Sequence, residues 1–185
     1  MKTRVLQIAA LVLAAITFTA TFASAQLNSG AQPITLAANL SESLTVTLSA
    51  SAVNFTLAAG SAANAGSTNI TATTAWVLKP SRTAVAVYAY FASAAAALTD
   101  GAGDNIPSAD FYIADNAGAS TALTTTVPFG GALAGLRLAN VPITAANRSA
   151  TRTDAMAFNI NLSTLPTLPA ATYTGTLNIQ AQATP

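Results

Sequence analysis

Tyr173-Thr174-Gly175-Thr176-Leu177-Asn178-Ile179-Gln180-Ala181-Gln182-Ala183 is the stretch that decides the fold class. Apolar or small residues stand at Tyr173, Gly175, Leu177, Ile179, Ala181 and Ala183, and polar ones at Thr174, Thr176, Asn178, Gln180 and Gln182. Successive side chains of a strand point to opposite faces, so period two predicts one packed face and one wet face.

The same pattern recurs upstream. Met156, Phe158, Ile160 and Leu162 alternate with Ala157, Asn159, Asn161 and Ser163. The Leu165-Pro166-Thr167-Leu168-Pro169 run between these segments reads as a connection, because proline has no amide donor for a ladder. Leu44, Val46 and Leu48 alternate with Thr45, Thr47 and Ser49, and Ile70, Ala72, Thr74, Trp76 and Leu78 with a more polar set. Thr83 to Phe91 is apolar on both faces, as in a central strand or one whose second face meets a partner. Shorter strands are expected at Ile34 to Leu40, Asn54 to Leu57, Ala109 to Ala114 and Leu136 to Ile143, with turns at Gly60 to Gly66 and Asp100 to Pro107. Ala92 to Leu98 has room for one helical turn, and no amphipathic stretch is long enough for a core helix.

Eight or nine short strands with frequent turns imply an all-β fold, an antiparallel sandwich or a barrel. A membrane barrel would carry aromatic girdles around a polar lumen. Aromatics make up 6% of this chain, and the expected strands face outward mostly with Thr, Ser, Asn and Gln. The sandwich is therefore expected.

Lys2 and Arg4, the mostly apolar run Val5 to Ile16 and the small residues Ala23-Ser24-Ala25 have the layout of a cleaved secretory signal. Residues 1–25 are expected to be that signal and 26–185 a single domain, secreted to the periplasm, cell surface or extracellular space. The run is interrupted by Thr17, Thr19 and Thr21, which argues against a membrane anchor. A chain of that length suffices to bury about 70% of its unfolded surface in one core.

Cysteine and histidine are absent. That removes disulfides, thiol nucleophiles, the commonest general base and the commonest transition-metal ligands. Beyond the signal, five basic residues face six acidic ones, a balance with no electrostatic pull on nucleic acid or an anionic membrane. No catalytic, cofactor or metal residue is assigned, and no enzymatic role is expected.

The ending Leu168-Pro169-Ala170-Ala171-Thr172-Tyr173-Thr174-Gly175-Thr176-Leu177-Asn178-Ile179 resembles the final hairpin of secreted bacterial immunoglobulin-like domains, including fimbrial proteins of the spore coat protein U type. Ala171 stands where that pattern often has glycine, and the match covers about a dozen residues. The resemblance implies an immunoglobulin-like sandwich. It also implies a structural Tyr173, whose hydroxyl bonds nearby backbone as in a tyrosine corner. It further implies assembly by insertion of an extended N-terminal strand into a neighbouring copy. Gln32 to Leu48 is the candidate segment, and an ordinary first strand of the same domain is the competing reading.

Other clusters have simpler explanations. Asp100, Asp104, Asn105 and Asp110 offer oxygen ligands for calcium, yet their spacing matches no EF-hand and Asp or Asn before Gly forms turns. Arg148, Arg152 and Asp154 fall in a polar stretch, Asn147 to Asp154, read as a solvated loop. Arg137 is expected to pair with a carboxylate at the sandwich rim, at little gain in energy. Trp76, Tyr88 and Tyr90 would suit sugar stacking, but the alternation puts Trp76 with Ile70 and Leu78 in the core. Sequons begin at Asn39, Asn54, Asn69, Asn147 and Asn161, a number that Ser/Thr-rich composition makes unremarkable, and Lys79 has no paired catalytic motif.

Two functions follow: a structural or adhesive subunit of a surface appendage or matrix, or a monomeric binding module for carbohydrate. An open groove or unpaired edge would favour the first, and a closed sandwich with an aromatic patch the second.

Overall fold

A computed structural model describes residues 29–185; the expected signal segment lies outside them. The chain divides at Ala38. Residues 29–38 have no regular secondary structure and are exposed. The expected strand at Ile34 to Leu40 is not formed: alternation supplies an apolar edge, but no neighbouring strand pairs with its backbone.

The unit Asn39–Pro185 is all-β. Its strands are β1 (Ser43–Leu48), β2 (Asn64–Ala65), β3 (Ile70–Val77), β4 (Ala84–Tyr90), β5 (Leu98–Thr99), β6 (Asn105–Ile106), β7 (Phe111–Asp115), β8 (Ser120–Ala122), β9 (Gly135–Pro142), β10 (Ser149–Ile160) and β11 (Asn178–Thr184). One sheet runs β1-β3-β10-β7-β8, with β2 paired to the end of β10; the second runs β11-β4-β9, and β5-β6 form a separate hairpin. All pairings are antiparallel.

The alternation explains which sides meet. Along β3, Ile70, Ala72, Thr74 and Trp76 are buried while Thr71, Thr73, Ala75 and Val77 are not. β4 is the centre of its sheet, as its two apolar faces require. The main core joins Ile70, Ile113, Met156 and Phe158 of the large sheet to Ala89 and the half-buried Leu136 and Ile179 of the small one. Phe111 is its hub, with ring centroids 5.8 Å from Phe55, 5.1 Å from Phe91 and 6.0 Å from Phe158. Full burial of each such side chain is worth about 1.5–3 kcal/mol. Trp76, Leu78 and Val85 make a second cluster.

Several expectations are corrected. Asn147 to Asp154 is not a loop beyond its first two residues: β10 starts at Ser149 and Asp154 is fully buried. Arg152 makes this tolerable, because its guanidinium pairs with the Asp154 carboxylate and its Nε donates to Oδ2 at 3.1 Å. Ala92 to Leu98 forms no helical turn; its last residue enters β5. Asn54 to Leu57 makes only one bridge, Phe55 to Gly66. The final strand begins at Asn178 instead of Tyr173, and Thr174 alone of the preceding residues bridges, to Thr99.

Candidate functional site

The late start of β11 opens a groove between the sheets, with a volume of about 810 Å³. Its floor is core: Ile70, Phe111, Met156, Phe158 and Ile160 reach it from the large sheet. One wall is the irregular run after β1, where Val53, Phe55 and Leu57 turn inward at every second residue. The other wall is Leu168 to Leu177 with Ile179. Gly175 belongs here for a steric reason: a Cβ on it would lie 2.0 Å from the Ala97 carbonyl oxygen.

Unpaired backbone flanks the groove. β1 and β11 are each at the edge of their sheets, bonded on one side only, to β3 and β4. An edge strand presents unused N–H and C=O groups to any strand that arrives. Tyr173 is half-buried against the core, and its hydroxyl donates to the Pro169 carbonyl at 2.9 Å, the local closure that a tyrosine corner makes. Burial pushes its phenol pKa upward.

At the start of β1 the backbone is clamped electrostatically. Glu42 Oε1 accepts from the Lys79 amide at 3.1 Å and from Arg82 Nε at 3.1 Å, while Oε2 lies 3.3 Å from Lys79 Nζ. The Arg82 hydrogen bonds, with the Lys79 amide, hold the Glu42 carboxyl at a pKa of about 2. Lys79 therefore belongs to an ion-pair cluster.

The remaining candidate residues separate. Asp100 Oδ1 accepts from the amides of Ala102, Gly103 and Asp104 at 2.8, 3.1 and 3.0 Å, which is a turn that uses the carboxylate itself. Those bonds lower its pKa. Asp110 is buried elsewhere and accepts from Thr164 at 3.0 Å. Among the described residues no group of acidic side chains is arranged to hold a metal ion. Trp76 is in the core, whereas Tyr88 and Tyr90 lie on the outer face of β4 beside Phe129, a loop residue that no strand periodicity marks. Arg137 is exposed on β9 and, against expectation, makes no ion pair among the described residues, and the Arg148 Nε is buried without a partner.

No family model, curated protein or solved structure matches the chain. Among the described residues no helix is long and apolar enough to cross a membrane.

Proposed function

We propose that the protein is a secreted, non-enzymatic structural subunit of a surface appendage or matrix. Its immunoglobulin-like sandwich would be completed by an N-terminal strand from a second copy. The observation that carries this reading is the pairing of an open apolar groove with an exposed apolar segment of strand period. Ile34, Leu36 and Leu40 are 83, 88 and 84% exposed, and with Ala38 they fall at every second position.

The physical case is one of complementary deficits. Leaving three large aliphatic side chains in water forgoes about 1.5–3 kcal/mol each. Extended, Pro33 to Leu40 spans about 26 Å at roughly 3.3 Å per residue, enough to run between the two walls of the groove. The segment is shorter than Gln32 to Leu48, because Ser43–Leu48 already pairs with β3 as an ordinary first strand.

The test is light scattering and electron microscopy on the chain from Gln26, beside Ile34→Asp/Leu36→Asp. Large oligomers in the parent that disappear in the variant support assembly through the segment. Monomers in both at high concentration refute it.

A further inference from the structure

The outer face of the small sheet carries a different set of groups, away from the groove. Register places Gln180, Tyr88 and Arg137 side by side across β11, β4 and β9. The flanking ranks are Asn178, Tyr90 and Gly135, and Gln182, Ala86 and Asn140. The intervening Val85, Val87 and Ala89 are fully buried, so by period two Tyr88 and Tyr90, both half-buried, face away from the core with their rank partners, while the small Ala86 is itself buried. A bulge at Val87/Tyr88 leaves Leu138 of β9 without a partner, which puts both Asn140 and Arg137 on this outer side.

The loop after β8 adds a third ring. Phe129 lies edge-on to Tyr88 at 6.0 Å and tilted against Tyr90 at 5.8 Å between centroids. Gly130 permits the fit, with a φ of +74° and a position where a Cβ would lie 2.3 Å from the Tyr90 ring. The Tyr90 hydroxyl donates to Gln180 Oε1 at 2.7 Å, fixing that amide with its NH₂ left to donate. No carboxylate stands in these ranks, and Arg137 makes no ion pair among the described residues.

We infer that this face binds an acidic polysaccharide whose sugar rings carry carboxylates. A pyranose ring lies on the aromatic group of Tyr88 and Phe129, its carboxylate meets Arg137, and its hydroxyls meet the amides of Gln180, Gln182 and Asn140. Rings supply rigid contact area, amides both donate and accept, and the guanidinium fork matches a carboxylate bidentately. Three strands span about 10 Å, the scale of one sugar residue with its substituents. An uncompensated positive charge with no acidic neighbour favours an anionic sugar over a neutral one.

The experiment is affinity electrophoresis of the chain from Gln26 in gels containing polygalacturonate, with dextran as the neutral comparison. Retardation by polygalacturonate alone is expected. Arg137→Gln and Tyr88→Ser should each weaken it by roughly tenfold, and Lys79→Gln, which removes a charge elsewhere, should not. Arg137→Lys keeps the charge without the fork and should fall between, so the reading stays testable if a harsher variant misfolds. No retardation, equal retardation by dextran, or retardation indifferent to Arg137 and Tyr88 would each overturn the proposal.

Discussion

The indole N–H of Trp76 donates to the backbone carbonyl of Asn147 at 2.9 Å, tying the end of β3 to the turn before β10. Asn147 organises that turn in its own right: its Oδ1 accepts from the Thr144 amide at 2.7 Å and its Nδ2 donates to the Pro142 carbonyl at 2.9 Å. Trp76→Phe keeps most of the apolar contact and loses the hydrogen bond, so it should lower the unfolding free energy by about 1 kcal/mol in urea titration. Asn147→Ala should cost about the same.

Asp154 is fully buried and depends on Arg152, with Asn116 donating to its Oδ1 at 3.2 Å. Arg152→Ala strands the carboxylate and should destabilise the fold by about 3 kcal/mol. Removing both charges with Arg152→Met/Asp154→Leu should recover most of that loss. Denaturant unfolding of the three proteins side by side checks the ordering.

Two carboxylates have opposite pH signatures. Glu42 has a depressed folded-state pKa, so its stabilisation is present above the ordinary carboxylate value of 4.5 and is lost as pH falls to about 2. Burial, then repulsion from Asp154, raises the pKa of Asp115, so its ionisation costs stability as pH rises through the carboxylate range. Melting curves should show Glu42→Gln lowering Tm at pH 7 and converging on the parent near pH 2. Asp115→Asn should raise Tm at pH 7, and that gain should disappear in acid.

Thr74 is fully buried, and its hydroxyl has no partner. Thr74→Val replaces an unsatisfied polar atom with a methyl of similar size. A gain of about 1 kcal/mol is expected by urea titration.

Strands whose alternation is backed by a neighbour were readable directly, as β3 and β4 illustrate. Period two reports which side of a segment is apolar and is silent on whether its backbone is paired. Tyr173 to Leu177 therefore read as strand while lining a groove, and Ile34 to Leu40 as strand while standing in solvent. The polar letters of Arg152 and Asp154 masked the start of β10, because their mutual neutralisation depends on rotamers that no local pattern encodes. Tyr88 and Tyr90 could be singled out from sequence. That they meet Arg137, Gln180 and the loop residue Phe129 could not be read, since strand register, a bulge and a loop bring these residues together across more than 90 positions.

The most direct measurement exploits the absence of cysteine. One sample carrying Leu36→Cys is mixed with another carrying Leu177→Cys, a wall residue of the groove, under mild oxidation. A disulfide-linked heterodimer that an excess of a synthetic Gln32–Leu40 peptide suppresses is expected. Homodimers alone, or a heterodimer yield indifferent to the peptide, would contradict strand insertion between copies.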